Sequence, residues 1–149
     1  FPFGSFGENF TTEGLLETEV CLGDMFEVGS ALVQVSQPRQ PCWKLARRWR
    51  RKDLALRVQE SGRTGWYFRV IREGTVQAGS RLILVERPCP EWTVASANDV
   101  MHRWTDDMQA AQSLAVCPAL AVRWRETLNK RVETKTVGST TARLYGPNL

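Results

Sequence analysis

The sequence of 149 residues predicts a small, mainly β unit followed by a unit of three helices. Three observations carry this. Short apolar stretches broken by glycine-containing turns fill residues 19–36 and return at 65–86. The segment "RPCPEW" at 87–92 places two prolines where the apolar period changes. Beyond it, apolar residues recur at helical spacing from Thr93 to Val132. With 42% hydrophobic residues, the chain can build one ordinary domain, or a small domain with an appendage.

Each element has its own signal. Residues 1–14, "FPFGSFGENFTTEG", are rich in glycine and aromatics and read as a structured loop. Residues 19–22, 25–28 and 31–36 read as short strands, punctuated by "GD" at 23–24 and "GS" at 29–30. In the third, Ala31, Val33 and Val35 fall on one face and Leu32, Gln34 and Ser36 on the other. That strand runs straight into "SQPRQPCWKL". A helical pair follows: Leu45 and Trp49 are four apart, and Asp53 can cap a second helix carrying Leu54 and Val58. Ser61 and Gly62 end it. Residues 65–71 and 81–86 read as two further strands joined by "REGTVQAGS".

Helices are expected at 93–103, 106–116 and 119–132, with Thr93 and Asp106 as caps and Pro118 as a separator. Val94, Ala97 and Met101 share a face of the first, and Leu120, Trp124 and Leu128 a face of the third, as packing stripes do. Residues 134–143 are polar and read as loosely ordered. The expected organisation is therefore 1–88 for the β unit, 89–133 for the helices and 134–149 for a polar tail. Five short strands can make an open sheet, but closing a barrel needs more.

Composition narrows the function. No stretch approaches the ~20 apolar residues of a membrane span. The four cysteines, at 21, 42, 89 and 117, are far apart with no CxxC, which favours a reducing, cytoplasmic setting. The single histidine, His102, gives no zinc-ligand spacing and no HExxH helix. Gly74 and Gly79 have P-loop spacing, but Ser80 and Arg81 stand where Lys and Ser/Thr belong, and no GxGxxG occurs. A net charge of +4 and a pI near 9.1 suit an anionic small molecule as well as nucleic acid. The basic run "RRWRRK" at 47–52 reads as a solvated face, or as a nucleic-acid contact with Trp49 stacking on a base; no recognisable DNA or RNA fold accompanies it.

Cys42 draws attention because it follows a proline and lies between Arg39 and Lys44. Pro38 and Pro41 remove two backbone donors and bias their predecessors to extended geometry, so the cysteine leaves a stiff loop. Nearby cations favour the thiolate, the form that attacks electrophiles and binds metals. The alternative is a half-buried structural cysteine.

Taken together, "FGENFTTEGL", "CLGDMFEVG", "ALVQVSQPRQPCWKLA", "VQESGRTGWYFRVI" and "GTVQAGSRL" resemble the MOSC domain, the C-terminal domain type of molybdenum-cofactor sulfurases. The match runs from residue 6 to 87, and the helical segment at 92–132 resembles the three-helix domain that follows MOSC in the YiiM-like branch. The resemblance implies a pyruvate-kinase-type β-barrel, incomplete here, and a molybdopterin-type molybdenum cofactor. It also implies pyridoxal-phosphate-independent reduction of N-hydroxylated compounds, hydroxylaminopurines among them, with electrons from a separate flavoprotein reductase. A membrane or nucleic-acid partner is not implied. The family's metal-binding cysteine falls on Cys42, a soft, anionic ligand suited to a molybdenum whose other sulfurs come from the pterin. Arg39 and Lys44 would then hold the thiolate ionised or bind the cofactor's phosphate. Glu8 and Asn9, in "GEN", position substrate or pterin, or simply hold a turn. Arg63, in "SGRTGW", binds phosphate or is a surface arginine. Solvent or Glu8 would supply the proton. A non-catalytic cofactor or sulfur carrier would need the same cysteine. The family's preceding strands and "HGG" motif have no counterpart here and His102 cannot stand in, so a truncated chain is expected.

Overall fold

The computed structural model describes residues 1–146. Strands β1 (Met25–Val28), β2 (Ala31–Pro38), β3 (Trp66–Arg72) and β4 (Leu82–Glu86) form one antiparallel sheet in the order β3-β2-β1-β4. Between β2 and β3 lie α1 (Trp43–Trp49) and α2 (Leu54–Ser61). After β4 come α3 (Val94–His102), α4 (Met108–Ala115), α5 (Val122–Thr134) and α6 (Thr141–Tyr145). The mainly β part followed by helices is as the sequence predicts. The sheet is open, with β3 and β4 as its edges.

Alternation sets the register. Ala31, Val33 and Val35 are buried, and Phe26 on β1 stands opposite Val33 on one side and Leu84 on the other. A one-residue slip would turn this set outward, so the burial of one face holds the pairing.

The expected strand at 19–22 is a turn. Cys21 makes a single bridge with Thr93, Leu22 N–H donates to the Trp92 carbonyl (2.8 Å), and Val94 N–H donates to that of Val20 (2.8 Å). Asp24, fully buried, closes the turn by accepting from Cys21 N–H (2.9 Å). Arg87, just past β4, reaches back to the same carboxylate at 2.7 and 2.8 Å. Backbone needs are thus met by the 92–94 segment and one side chain, leaving no ladder to extend.

One contiguous core joins sheet and helices. Phe26, Val33 and Val35 meet Val94, Ala97 and Val100 of α3, Leu114 of α4, and Trp124 and Leu128 of α5. The segment at 87–92 is therefore a packed joint: Cys89 is buried and Trp92 N–H donates to its carbonyl. Gly23 belongs to that joint. At φ +81 it takes a left-handed conformation, and a Cβ there would lie 2.7 Å from Pro88 and 2.9 Å from Ala119.

The helix ends follow local chemistry with small corrections. Thr93 caps α3 by accepting from Ser96 N–H (3.0 Å). Asp107, not Asp106, caps α4 through Ala110 N–H (2.8 Å). Asp53 precedes α2 but makes no cap bond; its carboxylate pairs with Arg57 at 2.5 Å instead. The larger departure is at the C-terminal end. Residues 141–145, expected to be part of a loose polar tail, form α6 with Leu144 buried. No helix among the described residues is long and apolar enough to cross a membrane.

Candidate cofactor site around Cys42

Cys42 is the N-cap residue of α1, with extended backbone (φ −134°, ψ 167°) and a carbonyl that accepts from Leu45 N–H (3.0 Å). Pro41 before it is buried while Cys42 itself is half-buried, so the loop is anchored at the proline and the cysteine is the least buried of the four. The other three cysteines are no more than 4% exposed. Burial, then the neighbouring Asp24 carboxylate, pushes the Cys21 thiol up. Burial and the adjacent Cys117 push Cys89 up to about 12. These three are packing residues, and Cys42 differs from them in being only half-buried.

The loop holding Cys42 is braced from two sides. On one, Arg39 N–H donates to the Gly65 carbonyl (2.9 Å), and its guanidinium donates to the Phe6 carbonyl (2.6 Å). On the other, α6 lies against α1 and α2. Arg143 Nη1 donates to the Pro41 carbonyl and Nη2 to Gln59 Oε1, both at 2.5 Å. Burial lowers the Arg143 pKa, and charge at Cys42 acts on it in the opposite direction, so guanidinium and sulfur are electrostatic neighbours. Gly146 ends the brace at φ +104°, ψ 166°, where a Cβ would sit 3.6 Å from the Trp43 ring.

Sequence reasoning missed Arg143 and Gln59. Arg143 is remote from Cys42 along the chain and sits in a polar stretch. The one available signal was Thr140 and Thr141, cap-type residues shortly before the apolar pair Leu144 and Tyr145.

The remaining candidates are placed as follows. Lys44 is exposed on the first turn of α1 and Asn9 is exposed in the N-terminal loop. Glu8 accepts from Gly4 N–H (2.6 Å), Phe6 N–H (2.9 Å) and the Thr11 hydroxyl (3.5 Å). Burial opposes its charge, but these bonds outweigh burial and hold its carboxyl below the usual carboxylate range. It holds a turn. Arg63 is exposed, 3.7 Å from Glu17, whose carboxylate also accepts from Gly65 N–H (2.9 Å). The loops carrying Phe6–Glu8, Arg39–Cys42 and Arg63–Gly65 therefore converge through Arg39 and Glu17. Trp49 is taken up by packing: its Nε1 donates to the Ser5 carbonyl (2.9 Å) and Phe1 meets its ring edge-on at 4.8 Å.

Two clefts flank α6. Tyr145 lines one of 460 Å³ with Trp43, Ala46, Arg47, Arg50 and Lys52. Arg143 lines the other, of 360 Å³, with Gln40, Tyr67, Arg123 and Trp124 among its walls.

Comparison with known proteins decides the family. Residues 1–83 match the MOSC domain, and residues 92–135 match the YiiM-like, 3-alpha helix domain. The chain belongs to the MOSC family. MOSC domains are associated with the molybdenum cofactor. The MOSC chain is 42% identical to YflK of Bacillus subtilis over 127 residues (85% of this chain, 58% of YflK). It is 38% identical to YiiM of Escherichia coli over 146 residues (98% of this chain, 65% of YiiM). The chain thus spans under two thirds of either relative. A Gibberella moniliformis protein described as a reductase is 36% identical over 103 residues (68% of this chain, 18% of that protein). Among solved structures, YiiM from Geobacillus stearothermophilus superposes with a TM-score of 0.86 at 46% identity, covering 89% of this chain and 68% of that one. YiiM from Escherichia coli superposes with a TM-score of 0.90 at 38% identity, covering 95% and 70%.

Proposed function

We propose that this chain carries the cofactor-binding part of a molybdenum-dependent reductase of N-hydroxylated compounds, with Cys42 as the protein ligand to the metal. The observation that supports it best is the placement of Cys42. It is the accessible thiol on a loop braced by Arg39 and Arg143, whereas the other cysteines are buried in the core.

The donor set fits such a group. Among the described residues, no cluster of three or more His, Cys, Asp or Glu could hold a metal by itself. A single thiolate suits a molybdenum whose remaining soft donors come from a pterin dithiolene. When bound, the group supplies a two-electron deoxygenation: N-hydroxyl, two electrons and two protons become amine and water. The chain's own residues do the rest. The Pro38–Pro41 loop fixes the sulfur with little conformational freedom, and Arg143 locks it by gripping the Pro41 carbonyl. The Arg143 charge beside Cys42 balances the negative charge that thiolate and dithiolene bring together. Arg39 ties this loop to the "GEN" loop. Glu8, held ionised by its amide donors, is a poor proton source, which leaves solvent for that role.

Electrons would come from a separate flavoprotein reductase, as the family resemblance implies; these 149 residues carry no flavin or nicotinamide fingerprint of their own. In this reading the open sheet belongs to a pyruvate-kinase-type barrel, whose further strands would pair with the free edges β3 and β4.

The test is molybdenum by mass spectrometry, and pterin by fluorescence, on protein from a cofactor-competent host. Near-stoichiometric metal and pterin are expected, both lost in Cys42→Ala. Reduction of an N-hydroxylated base that persists in Cys42→Ala with cofactor still bound would overturn the assignment. Cofactor bound without turnover, even with a chemical reductant, would favour a carrier.

A further inference from the structure

The 360 Å³ cleft between the sheet and α5–α6 contains an unbalanced positive charge. Arg123 and Arg143 both line it, with Gln40, Tyr67 and Trp124. A third arginine, Arg131, does not line the cleft but is buried, only 4% exposed, and no carboxylate pairs with it. It donates to the carbonyls of Val100 (2.7 Å) and Met101 (2.8 Å). The five ion pairs among the described residues involve none of Arg123, Arg131 and Arg143. Arg131 is compensated by its carbonyl partners, so the charge facing the cleft without a carboxylate is that of Arg123 and Arg143.

Two further observations agree. Trp124, 2% exposed, lines the cleft, and its Nε1–H has no hydrogen-bond partner. His102 meets the Trp124 ring edge-on at 6.3 Å, and its Nε2 is likewise unpartnered. Burial, with the charges of Arg143 and Arg131, pushes His102 down to about 4. The field in this corner is positive from both arginines. Such a field is what an incoming dianion would neutralise.

We infer that this cleft is an anion subsite that takes a phosphate monoester, with Arg123 and Arg143 as its charged donors and Gln40 and Tyr67 as neutral ones. The inference rests on the reading of Cys42 as the reaction centre: Gln40 and Arg143 line the cleft, and both are tied to the braced loop, Gln40 two residues before Cys42 and Arg143 through its bond to the Pro41 carbonyl. Two guanidinium groups match a dianion better than a carboxylate, which needs one. The volume admits a phosphate together with part of the organic group it is joined to. That phosphate belongs either to the pterin or to a nucleotide-like substrate, and the chemistry of the cleft is the same for both.

The experiment is calorimetric titration of the chain with inorganic phosphate, adenosine monophosphate and adenosine, repeated on Arg123→Gln and Arg123→Lys. Arg123 is exposed and makes no ion pair, so its loss leaves the Cys42 loop in place. Adenosine monophosphate should bind at least tenfold more tightly than adenosine, and Arg123→Gln should weaken it by about tenfold, as loss of one charge-assisted bond does. Arg123→Lys should recover part of the loss. Pterin content then assigns the source. A fall in Arg123→Gln makes the phosphate the cofactor's; unchanged pterin with weakened nucleotide makes it the substrate's. Either result supports the subsite. No binding of phosphate or nucleotide, or equal binding by wild type and Arg123→Gln, overturns it. The two readings fail separately: Arg123-dependent nucleotide binding without any molybdenum would sink the Cys42 assignment and leave the subsite standing.

Discussion

At the scale of single residues, what separates Cys42 from its fellow cysteines is access. Cys21, Cys89 and Cys117 are 2–4% exposed, and the pKa values of Cys21 and Cys89 are raised by burial. Iodoacetamide should therefore alkylate Cys42 well before the others in the native chain, read by peptide mapping; labelling spread evenly over all four would contradict the structure. His102 provides a second residue-scale test. Its pKa is ordinarily 6.5 and is pushed to about 4 in the fold by burial, Arg143 and Arg131. Between those values the unfolded chain binds a proton that the folded chain refuses, so stability is lost as pH falls through the window. Lowering pH from 7 to 5 should cost on the order of 2 kcal/mol from this group, measured by urea unfolding. His102→Phe keeps a ring against Trp124 but cannot titrate, and it should flatten that slope. An unchanged slope would mean that another group controls it.

At the scale of elements, legibility depended on whether an element carries its own pattern. β2 was readable because Ala31, Val33 and Val35 alternate between turns, and α3 because Thr93 caps a helix with Val94, Ala97 and Met101 on one face. Residues 19–22 have strand-like composition, but their partner is the irregular 92–94 segment, which no local pattern announces. α6 is five residues long and mostly polar, and what holds it is tertiary: Leu144 in the core, and Arg143 on Pro41 and Gln59. The candidate site divides the same way. Cys42 announced itself through its prolines and cations, whereas Arg143 acquires meaning only when the chain folds back. Leu144→Ala should cost about 2 kcal/mol, the low end for a buried leucine, because a short terminal helix can relax. Its sharper consequence is local. With α6 loosened, Cys42 should be alkylated faster while the sheet's amide-exchange protection stays unchanged. Equal alkylation rates would show that α6 does not guard the sulfur.

At the scale of the whole molecule, the sheet is finished on one face and unfinished at both edges. On β4, Ile83, Leu84 and Val85 are 55%, 42% and 49% exposed; since consecutive side chains point to opposite faces, both faces of that strand lack cover. On β3, Val70 and Ile71 are exposed in the same way, at 60% and 47%. These edges offer unpaired backbone groups flanked by β-branched side chains, the combination that templates edge-to-edge pairing. The helical side is closed, its core continuous with the buried face of the sheet. Self-association of the chain should therefore run through the strands. Lysine at an edge disfavours such pairing by forcing a charge into the contact. The double variant Val70→Lys, Val85→Lys should stay monomeric at concentrations where the parent sediments as larger species, with the same thermal midpoint because neither side chain is in the core. Val122, 64% exposed on α5, provides the control: Val122→Lys adds the same charge away from the sheet and should leave sedimentation as it was. If Val122→Lys disperses the larger species and the edge variant does not, the association belongs to the helical surface and the edges are already protected by their own twist and charge.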